Sequence, residues 1–243
     1  MVINLSAPGK DICPYCGGSS WESAGAQGAV RKCRCHHQGR TARLLLEARI
    51  PKRYEHCDLD SYVPNHPSQK KAKLDVTRFL EKYPLIDVGL LLLGPCGVGK
   101  THLAVSLLKQ VVLEKGDRGI FYDFRDLLRD IQGSWNAVSQ TSEFEVLGPV
   151  LSAEVLVLDE LGANKPTEWV RDTIAYIINW RYNEKKITIF TTNYPDAPTR
   201  QGEETLTDRI GFRLRSRLFE MCKAVEIGGK DFRQEIKQAN YRF

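Results

Sequence analysis

The sequence lacks any apolar stretch that approaches the ~20 residues needed to cross a lipid bilayer. Its first residues also lack the pattern of a secretory signal peptide. These absences predict a soluble, cytoplasmic protein that has no membrane partner. The length of 243 residues accommodates one α/β domain and a small appendage.

Acidic residues are scarce in the first quarter of the chain. Residues 1–57 contain four Asp or Glu and nine Lys or Arg, whereas the remaining residues contain 26 of each class. The net charge of +5 therefore lies entirely in the N-terminal segment. Such an excess indicates a contact with nucleic acid or with an acidic protein, although charge that serves only solubility would give the same count.

The seven cysteines lack the secretory context in which disulfides form, so a metal site or reduced thiols are the better interpretations. Cys13 and Cys16 form a C-x-x-C pair, and Cys33 and Cys35 follow as a C-x-C pair. Two thiolate pairs at this separation predict a structural zinc site. The candidates for the fourth ligand are Cys35, which is favoured, His36, His37 and the more distant Cys57.

Residues 88–101 contain the motif on which the functional interpretation depends. An apolar run at residues 90–93 has the length of a buried parallel strand, and a G-x-x-x-x-G-K-T loop follows it. In such a loop Lys100 reaches the β- and γ-phosphates of a nucleotide, and the Thr101 hydroxyl binds Mg²⁺. The helix that follows directs its positive end at the same phosphates. The predicted nucleotide-binding residues here are Gly94, Pro95, Cys96, Gly97, Val98, Gly99, Lys100, Thr101 and His102.

Polar residues also stand at the ends of two later apolar runs of the sequence. Residues 155–158 form a predicted buried strand, and Asp159 and Glu160 follow it. Because ligands bind at the carboxyl ends of parallel strands, we expect Asp159 to hold Mg²⁺ and Glu160 to act as general base toward a water molecule. Asn193 ends the strand predicted at residues 187–193, where it would orient this water or contact the γ-phosphate, or simply form an Asx turn.

The last forty residues are rich in arginine. Apolar residues recur at helical spacing through residues 206–219, which predicts one continuous helix there. Arg209 and Arg215 are expected on its solvent-exposed face. Before this region, residues 132–150 are predicted to be a loop with a helical patch.

The order of these motifs resembles that of AAA+ ATPases. More narrowly, it is similar to the bacterial replicative helicase loaders of the DnaC/DnaI type and to the IstB-type transposition ATPases. The resemblance implies an α/β P-loop NTPase fold, in which helices flank a central parallel β-sheet, with a small N-terminal zinc-binding domain. We expect the zinc domain at residues 1–50, a linker at 51–84 and the ATPase domain at 85–243.

The resemblance also implies roles by position. Residues 94–101 match Walker A, Asp159 and Glu160 match Walker B, and Asn193 matches sensor I. Arg217 matches the arginine finger, and Arg233 matches sensor II. Arg213, one helical turn before Arg217, is a weaker candidate for the finger.

These assignments predict a helicase loader that uses ATP, Mg²⁺ and Zn²⁺. Its expected partners are the hexameric replicative helicase, single-stranded DNA and further copies of the chain. Phe124, Arg125 and Trp135 are candidate DNA contacts, although a position in the core is the better interpretation of each of the two aromatic residues. Self-association would be head to tail, because an arginine finger acts on the nucleotide of the neighbouring subunit. The alternatives are an IstB-like ATPase that binds DNA and recruits a transposase, and a DNA-binding adaptor that binds ATP only to assemble.

Overall fold

The computed structural model describes residues 13–17, 19–23, 29–135 and 142–235, without the side chains of residues 23, 34, 36–38 and 235. Within these ranges no helix combines the length and the apolar character that a membrane span requires. The strands are β1 (Trp21–Ser23), β2 (Val30–Lys32), β3 (Gly89–Leu93), β4 (Gly119–Asp123), β5 (Val155–Asp159), β6 (Ile187–Thr192) and β7 (Cys222–Glu226). The helices are α1 (Arg34–Glu47), α2 (Pro67–Lys82), α3 (Lys100–Gln110), α4 (Phe124–Ser134), α5 (Glu143–Ser152), α6 (Glu168–Asn183), α7 (Leu206–Ile210), α8 (Phe212–Met221) and α9 (Phe232–Glu235).

Five parallel strands form the central sheet in the order β4-β5-β6-β3-β7. The predicted phosphate-loop strand β3 lies between β6 and β7, and every residue of β3, β5 and β6 is buried. Parallel strands present their carboxyl ends at one edge of a sheet. The loops after β3, β5 and β6, which carry the predicted site residues, therefore meet at that edge.

Helices cover both faces of this sheet, so alternate residues of each strand face different layers. In β3, Leu91 and Leu93 pack with residues of α4, α5, α6 and α8. Leu90 and Leu92 pack on the opposite face with residues of α2 and α3. The predicted fold class, a parallel sheet flanked by helices, is confirmed.

The helix predicted over residues 206–219 is two helices. Gly211 separates α7 from α8 with a φ of +86°, a backbone conformation that is open to glycine and strained for other residues. The prediction for residues 132–150 is also wrong where the structure describes them, because residues 132–134 end α4 and residues 143–150 belong to α5. Residues 136–141 of that prediction lie outside the described residues. A capping box, in which Ser142 and Glu145 each bond the other's backbone N–H, starts α5.

The N-terminal part is attached to the sheet through the end of α1. This helix begins at Arg34, inside the cysteine-rich segment. At its other end, the Ala48 carbonyl accepts a hydrogen bond of 2.8 Å from the Phe121 N–H of β4. This bond satisfies one backbone group on the edge strand of the sheet.

Candidate functional site

The phosphate loop connects β3 to α3, and Gly97 and Gly99 are two of the positions at which it requires glycine. Gly97 and Gly99 have φ values of +76° and +93°. A Cβ on Gly97 would lie 1.9 Å from Asp231 Oδ1, and a Cβ on Gly99 would lie 2.4 Å from the Tyr62 ring. Tyr62 also donates a hydrogen bond of 3.0 Å to the Val98 carbonyl. The loop backbone is therefore closely packed between the segment before α2 and the segment before α9.

Lys100 is the first residue of α3, and its side chain reaches back to this loop. Its Nζ donates hydrogen bonds of 2.7 Å to the carbonyls of Gly94 and Pro95 and to Asn193 Oδ1. These three bonds use all three donors of the ammonium group. Burial lowers the pKa of Lys100 to about 8. The structure thus brings together the predicted Walker A lysine and the predicted sensor I asparagine, which come from adjacent strands.

Asp159 is the acceptor of a second group of hydrogen bonds. Thr101 Oγ1 lies 2.9 and 3.1 Å from the two carboxylate oxygens, and Thr191 Oγ1 donates to Oδ1 at 2.6 Å. Burial raises the pKa of Asp159 to about 6. A hydroxyl and a carboxylate are oxygen ligands of the kind that Mg²⁺ prefers. Thr101 and Asp159 therefore fit the magnesium site that the sequence predicted.

Glu160 follows Asp159 in a left-handed conformation, with a φ of +56°. Its backbone N–H donates to Thr191 Oγ1 at 3.0 Å, and its side chain forms an ion pair with Arg125 at the start of α4. A cavity of about 400 Å³ lies beside Asp159 and Glu160, between α4 and Tyr54. The carboxylate that was predicted as general base is thus held by a cation from the neighbouring strand end.

The remaining nucleotide-site candidates differ in position. The Phe232 N–H donates to the Gly97 carbonyl at 3.1 Å, so α9 begins against the phosphate loop. Burial is the main cause of the lowered Lys100 pKa. The positive charge of the predicted sensor II residue, Arg233, lowers this pKa further. Cys96 is exposed. On the outer side of α3, His102 Nε2 lies 2.8 Å from the Asp58 carbonyl.

Arg217 is not brought to this group of side chains. Its Nη1 donates to Asn179 Oδ1 of α6 at 2.5 Å, and no bond among the described residues joins it to Lys100, Asp159 or Glu160. This arrangement is compatible with an action on another subunit.

The expectation for Arg209 is wrong, because its side chain is only 9% exposed and donates to the carbonyls of Gly162 and Asn164 at 2.8 and 2.5 Å. Arg215 is also only partly exposed and bonds both carboxylate oxygens of Asp196. Arg213 is exposed.

The three residues predicted to contact DNA differ in how far their side chains are exposed. Phe124 is 1% exposed and belongs to the core, so it is not available for base stacking. Trp135 is 54% exposed and packs edge-on against Trp169, with 5.4 Å between the ring centroids. Arg125 is half exposed but pairs with Glu160.

Thr191 was missed at the sequence level, although it bonds both Asp159 and the Glu160 backbone. The sequence offered one signal, a threonine two residues before Asn193 in a predicted strand. The structure shows that this position is fully buried.

The four N-terminal cysteines converge. The sulfur atoms of Cys13, Cys16, Cys33 and Cys35 all lie within 4.8 Å of one another, with Cys13–Cys33 at 3.8 Å and Cys16–Cys35 at 3.4 Å. Zn–S bonds of about 2.3 Å in a tetrahedron separate sulfur atoms by about 3.8 Å, so the cluster fits zinc. Cys35 is therefore the fourth member.

The other candidates for the fourth zinc ligand were His36, His37 and Cys57. The side chains of His36 and His37 lie outside the described residues. Cys57 is buried in the core beside α2 and α3. Hydrogen bonding to Cys16 is the main cause that raises the pKa of Cys35 to about 12.

Comparisons with known proteins agree with this geometry. Residues 29–240 match the protein family described as IstB-like ATP binding protein. This chain belongs to that family. The motif order predicted a chain that resembles helicase loaders of the DnaC/DnaI type and is close to IstB-like ATPases, and that prediction is confirmed.

Curated relatives of this IstB-like chain carry the name replicative helicase loader DnaC. The protein from Buchnera aphidicola subsp. Acyrthosiphon pisum is 25% identical over 62% of this chain, and the match spans 61% of that loader. The Escherichia coli K12 loader is 22% identical over 79% of this chain and 76% of its own length. The chain thus spans about three-fifths of the length of the first of these relatives.

Solved structures give the same assignment. A crystal structure of the DnaC helicase loader is 38% identical, with a TM-score of 0.64, and the match covers 73% of this chain and 99% of that one. DnaA from Aquifex aeolicus bound to AMPPCP is 20% identical, with a TM-score of 0.56 over 74% of this chain and 51% of that one. The second likeness is one of fold.

Proposed function

We propose that this IstB-like protein is a Mg²⁺-dependent ATPase that loads the hexameric replicative helicase onto single-stranded DNA. The observation that carries the ATPase part is the meeting of Lys100, Thr101, Asp159 and Asn193 at one edge of the sheet. The names of the relatives support the loading part.

In this mechanism Lys100 exchanges its bonds with the Gly94 and Pro95 carbonyls for bonds with the β- and γ-phosphates of ATP. Thr101 and Asp159 hold the magnesium ion, which would neutralise charge on these phosphates. Asn193 orients the attacking water, and Glu160 accepts its proton. Buried carboxylate and ammonium groups suit this task, because their interactions with charge are stronger in a site that excludes water.

Hydrolysis also needs a cation that a single subunit does not bring to the site. In the proposal Arg217 of one subunit reaches the γ-phosphate bound by the next, and Arg233 contacts the phosphates within its own subunit. One such contact per subunit is heterologous, so it produces a head-to-tail ring or spiral. Nucleotide binding would then control assembly, and assembly would control hydrolysis.

The N-terminal segment has a separate role in the proposal. Zinc held by the four cysteines stabilises residues 1–50, and this domain contacts the helicase, while the linker at 51–84 joins it to the ATPase domain at 85–243. In support, α1 begins in the cysteine cluster and ends against β4.

The test of the shared site uses two full-length variants, Arg217→Ala and Glu160→Gln. Each is expected to lose ATPase activity alone. A mixture is expected to regain part of it, because the Arg217→Ala subunit keeps an intact Glu160 and the Glu160→Gln subunit keeps an intact Arg217. No recovery at any mixing ratio, or full activity of Arg217→Ala alone, would contradict the shared site.

Loading is tested by mixing the full chain with the replicative helicase and circular single-stranded DNA. The protein is expected to bind the helicase and transfer it to the DNA with ATP, and the Lys100→Ala variant is expected to fail. Lys185→Ala, a change at an exposed lysine after α6, is the matched control. Binding of duplex DNA and a transposase without helicase binding would favour the transposition alternative.

A further inference from the structure

Arg217 is held differently from the arginine two residues before it. Arg215 pairs with both carboxylate oxygens of Asp196, at 2.5 and 2.6 Å, so its charge is compensated. Arg217 instead donates to the neutral side-chain amide of Asn179, at 2.5 Å. Among the described residues, no ion pair joins Arg217 to a carboxylate. Its guanidinium group is therefore oriented without being neutralised.

Glu220, an acidic residue close to Arg217 along α8, bonds a different side chain. Glu220 lies three residues further along α8, at a spacing that brings side chains together on a helix. Its Oε1 accepts a hydrogen bond of 2.7 Å from the Tyr182 hydroxyl of α6. In the contact between α6 and α8, Glu220 therefore bonds Tyr182, while Asn179 bonds Arg217.

We propose that Asn179 is the positioning residue for Arg217 and holds it ready, still fully charged, for the nucleotide of a neighbouring copy of this chain. This inference rests on the proposed function, in which Arg217 acts on that nucleotide. A free arginine side chain samples many rotamers, so holding it in advance reduces what must be ordered when the subunits meet. A carboxylate at position 179 would also hold Arg217 but would compete with the phosphate for it.

Asn179 lies on a well-supported part of α6. Arg181, two residues later, is 1% exposed, and its guanidinium donates to the carbonyls of Val150, Ala153 and Ile187 at 2.8, 3.0 and 2.6 Å. These bonds attach the end of α6 to the end of α5 and to the start of β6. A residue that positions a catalytic group needs such support, because small displacements weaken the contact it provides.

The experiment compares Asn179→Ala and Asn179→Asp in the full chain. Asn183→Asp is the matched control, since it adds the same charge at an exposed position of the same helix. We expect Asn179→Ala to lower kcat by roughly 2- to 10-fold, the range for one lost hydrogen bond. Asn179→Asp is expected to lower kcat by roughly 10- to 100-fold, because a charge-assisted bond must then break. KM, the affinity for an ATP analogue and the melting temperature are expected to stay unchanged, and Asn183→Asp is expected to behave as wild type.

A mixing experiment separates positioning from a folding defect. Asn179→Asp subunits keep an intact nucleotide site, so Glu160→Gln subunits, which keep an intact Arg217 and Asn179, are expected to restore their activity. An Asn179→Asp variant that is no worse than Asn179→Ala, or that is not restored in mixtures, would overturn the inference. The Arg217→Ala variant separates a failure of the proposed function from a failure of this inference. If Arg217→Ala is fully active, the proposed function fails. If Arg217→Ala is inactive while both Asn179 variants have normal activity, only the positioning role of Asn179 fails.

Discussion

The ion pair between Arg125 and Glu160 gives a quantitative prediction about basal ATPase activity. In the proposed mechanism Glu160 must turn toward water, so the pair has to open before hydrolysis. Replacing Arg125 by alanine removes this requirement. We therefore expect the Arg125→Ala variant to hydrolyse ATP faster than the wild type when no DNA is present.

The size of the increase follows from the exposure of the pair. The two side chains are 48% and 34% exposed, so water screens their attraction. Exposed pairs contribute about 0.2–1 kcal/mol. Since 1.36 kcal/mol corresponds to a tenfold change in rate, the variant should be about 1.4- to 5-fold faster. Loss of the base itself, in Glu160→Gln, should instead lower the rate by about 10²–10⁴-fold.

The assay is steady-state ATP hydrolysis at a protein concentration that saturates assembly. Added salt is expected to raise the wild-type rate toward that of Arg125→Ala, because it weakens exposed ion pairs. The matched control is Arg43→Ala, which changes an arginine of α1 that pairs with Glu47 at 3.8 Å and is 75% exposed. An unchanged rate in Arg125→Ala, or a fall of tenfold, would refute the reasoning.

Three further outcomes are expected. The affinity for Mg²⁺-ATP should be highest between about pH 6 and 8, because Asp159 gains a proton below its pKa of about 6 and Lys100 loses one above its pKa of about 8. Fluorescent-nucleotide titrations from pH 5 to 9 measure this affinity, and a flat profile would contradict both assignments. Gly97→Ala should destabilise the protein by about 1–3 kcal/mol and weaken nucleotide binding, whereas Gly133→Ala in the open surroundings of α4 should not, as thermal melting will reveal. One zinc ion per full-length chain should be found by elemental analysis, lost in Cys35→Ser but retained in Cys57→Ser.

The sheet and its site edge could be predicted because their signals are local. Four apolar residues before Asp159, and four leucines before the glycine-rich loop, each predict a strand and the polar residues that follow it. The fold then requires the carboxyl ends of these strands to lie at one edge. The meeting of Lys100 with Asn193, 93 residues apart, depends in addition on β6 lying beside β3, an order that the structure supplies.

Interactions that depend on packing between helices were not predictable in this way. Arg209 has the sequence context of a surface residue, but the break at Gly211 turns α7 so that its guanidinium reaches the carbonyls of Gly162 and Asn164. The bond from Arg217 to Asn179 joins two helices whose contact depends on how both pack on the sheet. Helical periodicity indicates which face is buried, but it does not identify the partner across the interface.

Strand register explains the pairing of Arg125 with Glu160 and leads to a stricter test of it. Asp123 of β4 lies opposite Asp159 of β5, so the residues after these two strand ends are neighbours. Asp123 accepts the Arg125 N–H at 2.8 Å and starts α4 there, which aims the arginine at Glu160. If Arg125 acts on hydrolysis only through Glu160, adding Arg125→Ala to Glu160→Gln should leave the residual rate unchanged. A further loss in the double variant would mean that Arg125 contacts nucleotide or DNA directly.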